Sequence, residues 1–377
     1  MRPTLRLVGA LGLGAVLYAY GATSEVAWLF LLGLLVWALV PAALAYATWN
    51  RGGLKGRVLP AAVQAAASSP VELVPDALLR DAPLPAPVFE GDELRLRLEL
   101  ESKRGERGPA LLTAEVGGEQ LEAGTGRIDG GGWHALRSLP AVRRGVLAAE
   151  DVRLVSGDPA GFFRHSKSLP GGEVAVVFPR FASLADSLRV REVESFLTAP
   201  RAGQGGETFG VREYRPGDPL RRIHWRSSAR RGELVVREME PPGLRVAGLL
   251  LDATPPSREA ADQLARLAAS EAWDCLRAGG RALLWTPGRE PSAACGMHGF
   301  WTLLDWLARY PDDLPAGAGM PPSFSEAIGF VAGGEDVVAV LHELRLRGAE
   351  VRAWLLGESV EPDFPARRAG LEWPLAS

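Results

Sequence analysis

Two long apolar runs without an internal charge open the chain. They extend over Leu7–Ala22 and Val26–Trp49, and neither shows a polar face. A helix needs about 20 apolar residues to cross roughly 30 Å of hydrocarbon. The second run meets this length, and the first meets it when Leu5 is included and Arg6 reaches the interface. We therefore predict a transmembrane helical hairpin over residues 1–50.

Charges around the two runs predict their orientation. Glu25 lies alone in the turn, and cations flank the outer ends: Arg2, Arg6, Arg51, Lys55 and Arg57. The positive-inside rule then predicts a two-pass protein of the cell inner (plasma) membrane, with both termini and the main body cytoplasmic. A cleaved signal peptide over residues 1–21 is the alternative, but it leaves the second apolar run without an explanation.

The pattern changes to strands after a stretch rich in Ala, Pro, Gly and Ser. That stretch, residues 51–85, shows little periodicity and is predicted to be a juxtamembrane linker. Residues 93–101 alternate apolar and charged positions, as in a sheet with one solvated face. Further short strands are predicted over Leu111–Val116, Trp133–Leu139, Val146–Val155 and Val174–Phe178. Residues 86–182 are therefore predicted to form a small antiparallel β-sandwich.

Strands and helices alternate in the C-terminal part of the chain, residues 241–377. The predicted strands are Leu244–Leu251, Ala282–Trp285, Ala327–Val331 and Glu350–Leu356, and the predicted helices are Ser257–Leu276, Phe300–Tyr310 and Glu335–Arg347. This alternation predicts an α/β, Rossmann-like domain with a parallel sheet and helices on both faces. In such domains ligands bind at the carboxyl ends of the strands.

Composition narrows the function classes only slightly. The 377 residues are enough for two domains and an anchor, and a net charge of −3 is too balanced for bulk nucleic-acid binding. The two cysteines, Cys275 and Cys295, require no disulfide and form no zinc-binding pattern with the scattered histidines. No cofactor is predicted.

The most unusual segment lies within residues 183–240, between the two predicted domains, and we call this stretch the motif region. Residues 210–238 read GVREYRPGDPLRRIHWRSSARRGELVVRE and contain eight arginines. Asp218 and Pro219 predict a helix start, and the helix is expected to run to about Ala229. A strand is predicted over Glu233–Glu238, after Gly232.

The arginines of this segment need anionic partners, because each guanidinium always carries its charge. Three interpretations remain open: an internal Arg–carboxylate network that clamps two domains, an external anionic partner, and direct catalysis. An anionic lipid is one form of the external partner. The candidate binding residues are Arg212, Glu213, Tyr214, Gly217, Asp218, Arg222, Trp225, Arg226 and Arg230.

The segment resembles the hallmark motif of the bacterial "domain of unknown function 58" family. The matching positions are Gly210, Arg212, Tyr214, Gly217, Asp218, Arg221 or Arg222, Ile223, Trp225, Ala229 and Arg230. Upstream, Arg144–Gly145, Gly157–Phe163 and Val176–Pro179 resemble further landmarks of the family. The resemblance implies a membrane-anchored protein, often encoded near MoxR-type AAA+ ATPases and transglutaminase-like proteins, so a MoxR-type ATPase is the expected partner.

The C-terminal domain resembles a von Willebrand factor A domain in the order and size of its elements. In that family the first strand ends in D-x-S-x-S, which binds a divalent cation. Asp252 and Thr254 match this motif, but Pro256 stands in place of the last hydroxyl. Glu335 and Asp336 are expected to open a helix rather than complete a metal site. We therefore predict no bound metal, with Asp252 and Thr254 as vestigial positions.

A catalytic arrangement around His224, with Asp218 and Ser227 or Ser228, has weak support. Residues three or four apart on one helix are neighbours, not a positioned nucleophile, base and orienting group. The favoured hypothesis is a non-enzymatic, membrane-anchored scaffold that works with the ATPase in envelope or complex assembly. The alternative is an uncharacterised hydrolase or transferase with its site at the arginine-rich motif.

Overall fold

The computed structural model describes residues 1–82, 86–140, 142–184, 246–317, 324–357 and 362–373, with Ser228 and the backbone of residues 208–213 and 235–239. These residues form two compact units. The first contains Met1–Arg180 and the short stretch Leu307–Tyr310, and the second contains the rest.

Two apolar helices begin the first unit, as predicted. Helix α1 spans Leu5–Ser24 and helix α2 spans Ala27–Asn50. Both are long and apolar enough to cross a membrane, with mean hydropathies of 1.4 and 2.3. Glu25 closes α1 in the left-handed region at φ 57° and turns the chain into α2.

The two helices approach closely through glycine. A Cβ built on Gly33 would come 3.0 Å from the carbonyl oxygen of Gly14, and one on Gly14 would clash with the Trp37 ring. The Tyr18 ring stacks on Trp37 at 5.7 Å between centroids. Small residues at such crossings let helices pack tightly in lipid, where apolar burial itself supplies no drive.

Ten strands follow or flank these helices in the first unit, within the residues that the structure describes. They are β1 Arg2–Pro3, β2 Leu54–Gln64, β3 Val88–Phe89, β4 Glu93–Ser102, β5 Ala110–Val116, β6 Glu119–Thr125, β7 Trp133–Leu139, β8 Gly145–Gly157, β9 Phe163–Ser168 and β10 Gly172–Phe178. A short helix, α3, spans Asp76–Leu79. The larger sheet has the order β1-β9-β8-β10-β3, with β5 also paired to β8 and β6 to β5. The smaller sheet has the order β2-β4-β7.

The β2 strand corrects the prediction of a linker over residues 51–85. Its residues pair antiparallel with β4 from Leu54↔Ser102 to Gln64↔Glu93. Proline and small residues hide the strand in the sequence, and the register shifts between Pro60 and Ala62. Proline is tolerated because β2 is an edge strand, where a missing N–H breaks no central ladder.

Side chains from both sheets contribute to one core in this unit. The apolar positions of β4 are fully buried: Leu94, Leu96, Leu98 and Leu100. They join residues of the larger sheet such as Leu112, Val116 and Leu154 in the same cluster. The alternation read from the sequence therefore marks the inward face of β4 correctly. We call the strands of this unit together the β-domain.

The second unit contains a parallel sheet with one antiparallel edge. Its described strands are β11 Thr208–Glu213 and β12 Val235–Met239, which form a hairpin, then β13 Val246–Leu251, β14 Arg281–Trp285, β15 Ser292–Cys295, β16 Glu326–Val331, β17 Glu350–Leu356 and β18 Ala366–Ala369. Its described helices are α4 Arg258–Arg277, α5 Phe300–Arg309 and α6 Glu335–Leu346, and the last three residues of α5 belong to the first unit. The sheet order is β15-β14-β13-β16-β17-β18, and only β15 is antiparallel to its neighbour among these described strands. The predicted mixed α/β region is confirmed at this level.

Helix α4 begins with a side-chain cap. The Ser257 hydroxyl accepts the N–H of Ala260 at 3.1 Å, so Ser257 caps the helix N-terminus rather than lying inside the helix. Farther along the same helix, Glu271 is 4% exposed. Its two carboxylate oxygens accept hydrogen bonds from Arg352 of β17, at 2.8 and 2.9 Å. The Trp354 indole N–H donates to the same carboxylate.

Candidate functional site

The family motif is described only at its two ends. Arg212 and Glu213 lie on β11, opposite Val236 and Val235 of β12. Ser228 is helical and buried. The other predicted binding residues lie outside the described residues: Tyr214, Gly217, Asp218, Arg222, Trp225, Arg226 and Arg230. The His224 arrangement and the predicted helix, apart from Ser228, also lie outside them.

The β11–β12 hairpin brings the two ends of the motif side by side. The strands pair antiparallel from Thr208↔Met239 to Glu213↔Val235. Neighbouring strands lie about 4.8 Å apart, so Glu213 and Val235 lie side by side. The strand predicted over Glu233–Glu238 is thereby found, with its start two residues later.

The segment Gly157–Phe163, upstream of the arginine-rich motif, holds the start of helix α1. The buried Asp158 carboxylate accepts the N–H groups of Phe162 and Phe163, at 3.2 and 2.7 Å, and so fixes the turn. The hydroxyl of Thr4 donates to the carbonyl of Gly161 at 2.6 Å, and its N–H donates to the carbonyl of Phe162 at 2.9 Å. The Asp-Pro-x-Gly landmark is therefore a docking turn for the N-terminal helix.

The end of α2 is held by the same domain. Asn50 is fully buried and its amide donates to the carbonyls of Pro109 and Gly157, at 3.0 and 2.9 Å. Its oxygen accepts the N–H of Gly108 at 2.8 Å. Both N–H donors of the Asn50 side chain and one of the two lone pairs of its oxygen therefore have hydrogen-bond partners. Asn50 lies at the end of an apolar run, and the sequence gives no sign of these partners.

Aromatic and cationic side chains add to this joint. The Tyr46 hydroxyl donates to the carbonyl of Gly108. The guanidinium of the buried Arg107 lies 3.8 Å from the centre of the Trp49 ring and donates to the carbonyl of Gly52. Both open ends of the helical hairpin are therefore built into the β-domain rather than joined to it by a linker.

In the second unit, the carboxyl edge of the sheet contains a crevice at the reversal of the strand order. The chain leaves β13 towards β14 on one side, and leaves β16 towards β17 on the other. Loops at such a reversal separate and open a crevice, which is the usual ligand position in open α/β sheets. A crevice of about 340 Å³ lies here, lined mainly by apolar groups. Its lining includes Pro256, Ala260, Ala332, Leu356 and Leu371.

Asp252 lies beside this crevice at the end of β13. It is 2% exposed, and both carboxylate oxygens accept backbone N–H groups. One oxygen accepts from Thr254 at 3.1 Å, and the other from Ala332 at 3.1 Å and Gly334 at 2.7 Å. A Cβ on Gly334 would clash with this carboxylate, so only glycine fits the position. Asp252 therefore joins the loops that follow β13 and β16.

The residues at this edge do not fit a divalent cation. Magnesium needs several oxygen ligands in nearly octahedral order. The oxygens of Asp252 are directed at N–H groups, which a cation would have to displace, and Pro256 offers no side-chain oxygen. Glu335 and Asp336 lie in the first turn of α6, as predicted from the sequence. No group of three or more potential ligands occurs among the described His, Cys, Asp and Glu residues.

We expect Asp252→Ala to lower the free energy of unfolding by about 1–3 kcal/mol, because one buried and two partly buried N–H groups lose their acceptor. Asp336→Ala is the control, since an exposed acid in a first helical turn contributes less, about 0.3–1 kcal/mol. Thermal unfolding with and without millimolar magnesium measures both. A magnesium-dependent rise in Tm that Asp252→Ala abolishes would show that the carboxylate binds metal.

Comparisons with known proteins show similarity over part of the chain. A model of the family described as "Protein of unknown function DUF58" matches residues 210–286. The matched range contains the arginine-rich motif, β13, α4 and β14. The chain is also 26% identical over 155 residues to "Uncharacterized protein YeaD" of Bacillus subtilis (strain 168). This alignment covers 40% of the chain and 38% of that relative, so it spans well under half of either protein.

Proposed function

We propose that this protein is a membrane-anchored interaction protein whose body serves as a docking platform beside the bilayer. The observation that carries the proposal is the joint between the helical hairpin and the β-domain. Three hydrogen bonds of the buried Asn50 side chain hold the end of α2, and Thr4 holds the start of α1. A body held this firmly at the membrane is suited to presenting a surface in a defined orientation.

The proposed topology is two-pass in the inner membrane, with both termini and the body on the cytoplasmic side. Arg2, Arg6 and Arg51 at the outer ends of the helices support this orientation, since cations are retained on that side. Docking of both helix ends onto one domain also requires that both ends lie on the same side. Glu25 then lies in the opposite turn.

At finer detail, we propose that the β-domain is an antiparallel sandwich and that the second unit is a von Willebrand factor A-like domain. The shared core of the two sheets supports the first proposal. The parallel strand order and the position of Asp252 at the end of β13 support the second. With its cation site replaced by backbone hydrogen bonds, such a domain would bind partners through loops without a metal.

The proposed partner is a MoxR-type AAA+ ATPase, and the proposed process is envelope or complex assembly. Support comes from the family resemblance and from the cationic motif, whose ends are fixed by the β11–β12 pair. Arginine recognises carboxylates through paired N–H donors, so an acidic protein surface matches the motif chemically.

Binding between the full chain in detergent and the purified MoxR-type ATPase of the same organism tests this proposal. We expect saturable binding that Arg222→Ala weakens by about tenfold or more, equivalent to about 1.4 kcal/mol. Arg153→Ala is the matched control, because Arg153 forms an exposed ion pair with Asp151 in the β-domain. Biolayer interferometry gives the affinities, and thermal unfolding shows whether each variant stays folded.

The other outcomes separate the remaining hypotheses. Absence of saturable binding by the wild type overturns the ATPase as partner. A large fall in Tm for Arg222→Ala, with binding unchanged per folded molecule, assigns that arginine to an internal clamp. Hydrolysis or group transfer by the purified chain that Arg222→Ala abolishes would favour the hydrolase or transferase alternative.

A further inference from the structure

Cationic side chains gather where the helical hairpin meets the β-domain. We define the basic collar as Arg2, Arg6, Arg51, Lys55, Lys103, Arg104, Arg164 and Lys167. Arg2 and Arg6 flank the start of α1, and Arg51 follows the last residue of α2. The remaining members lie on β2, β9 and the turn after β4.

Backbone pairing and packing bring these separated positions together. Arg2 lies opposite Arg164 in the β1–β9 ladder. A Cβ built on Gly53 would lie 3.2 Å from the Arg104 side chain, and the N–H of Lys103 donates to the carbonyl of Gly53 at 3.1 Å. The turn after β4 therefore packs against the chain that leaves α2.

Arg6 joins the collar from the start of α1. A Cβ built on Gly161 would lie 2.9 Å from the Arg6 guanidinium, so Arg6 lies against the turn that docks the helix. The cations from the N-terminus, the end of α2 and the β-domain thus share one end of the first unit.

The collar has no carboxylate partners in the part of the chain that the structure describes. None of its members forms an ion pair there, whereas arginines elsewhere in the β-domain do. Examples are Arg95 with Glu93 and Arg97 with Glu99. Glu101 lies opposite Lys55 in the β2–β4 ladder, but the two form no ion pair in the described part of the chain.

Two titratable groups at this end of the first unit have a pKa lowered in part by neighbouring positive charge. The adjacent Lys103 side chain and its positive charge lower the pKa of Lys55, and Glu101 only partly offsets them. Burial lowers the pKa of His165, and the charges of the N-terminus, Arg51 and Lys167 lower it further. The Nδ1 atom of His165 is buried with no hydrogen-bond partner. Excess positive charge of this kind is relieved by a bound anion.

The length of α2 sets the level of the collar in a membrane. Its 24 residues extend about 36 Å at 1.5 Å per residue, which exceeds the roughly 30 Å hydrocarbon layer by about one turn. The last turn, with Trp49 and Asn50, then lies among the lipid headgroups. Arg51 follows this turn directly and Arg104 packs against Gly53, so the collar lies at the level of the phosphate layer.

We propose that the basic collar binds the headgroups of anionic phospholipids and holds the β-domain against the bilayer surface. Phosphate diesters supply the acceptors that the unpaired ammonium and guanidinium groups lack. This inference rests on the proposed insertion of the hairpin, but it does not depend on the ATPase partner. Its prediction is a preference for anionic over zwitterionic lipid at one end of the β-domain.

The test compares two triple variants of the full chain. Lys55→Gln, Lys103→Gln and Arg104→Gln together remove collar charges at one end of the β2-β4-β7 sheet. Arg95→Gln, Arg97→Gln and Arg137→Gln together remove the same charge at the other end of that sheet. Native mass spectrometry of the detergent-solubilised protein counts retained phosphatidylglycerol and phosphatidylcholine molecules with identical acyl chains.

We expect the wild type and the control triple variant to retain several-fold more phosphatidylglycerol than phosphatidylcholine, and the collar variant to lose this preference. Raising sodium chloride should weaken it, because exposed charges are screened. Equal retention of both lipids by the wild type overturns the proposal. An equal loss in both triple variants also overturns it, since the binding would then follow net charge alone.

Two further measurements separate the sources of failure. Competition by millimolar inorganic phosphate that removes bound phosphatidylglycerol would assign the site to free phosphate and overturn the lipid assignment. Incorporation of the full chain into lipid nanodiscs tests the hairpin itself. A chain that inserts without lipid preference contradicts only the collar, whereas a chain that does not insert contradicts the membrane anchor as well.

Discussion

Replacing Glu271 by alanine is expected to cost the second unit about 3–5 kcal/mol of unfolding free energy. The change removes the carboxylate that Arg352 binds through two hydrogen bonds and that Trp354 reaches with its indole N–H at 2.9 Å. Burial by itself would lower the pKa of Arg352, but the carboxylates of Glu271 and Glu326 outweigh it and raise the pKa. Without Glu271 a largely buried charge keeps only Glu326 as a counter-ion.

The matched control is Glu343→Ala, on another helix of the same unit. Glu343 also pairs with an arginine, Arg347, four residues along α6, but both side chains are about half exposed. Such pairs contribute only about 0.3–0.5 kcal/mol. Denaturant unfolding followed by tryptophan fluorescence measures both variants. Similar losses for Glu271→Ala and Glu343→Ala would contradict the importance of burial for this network.

Replacing Asn50 by alanine is expected to cost the first unit about 2–4 kcal/mol and to release the end of α2. The substitution leaves the N–H of Gly108 without its acceptor and the carbonyls of Pro109 and Gly157 without this donor, in a site that is fully buried. Each buried polar group left unsatisfied costs about 1–3 kcal/mol. Local opening should accompany the loss, because this side chain makes three of the hydrogen bonds that hold the end of α2.

Hydrogen–deuterium exchange of the full chain in detergent gives the most direct readout. Peptides that contain Gly108 should exchange faster in Asn50→Ala than in the wild type. Thr48→Ala is the control on the same helix, since its hydroxyl bonds only to Ala45 within the helix and is exposed. Unchanged protection around Gly108 in Asn50→Ala would show that the joint is held by other contacts.

Local patterns identified several elements correctly, and each has a local physical cause. The apolar length of α1 and α2 and the alternation along β4 are properties of neighbouring residues. The strand β2 was missed because its glycine, alanine and proline carry little strand preference of their own. It exists through ten residues of pairing with β4, which no local pattern reveals.

The candidate sites also combine features that the local sequence shows with contacts between residues that are distant in sequence. Sequence alone marked Asp252 through its place after an apolar strand and marked the motif through its arginines. It did not reveal that the Asp252 carboxylate accepts hydrogen bonds from the N–H groups of Ala332 and Gly334, because those residues lie 80 and 82 positions away. The motif arginines stay a prediction, since their side chains lie outside the described residues.

The sequence by itself determined that the chain begins with two membrane-length helices and continues through strands into an alternating α/β region, because periodicity and apolar length act over short distances. Only the tertiary structure decided that Asn50 is a joint, that Glu271 holds Arg352 and that cations from four segments form one collar. These depend on partners that are distant in sequence, and a buried polar group acquires its role from the partner that satisfies it.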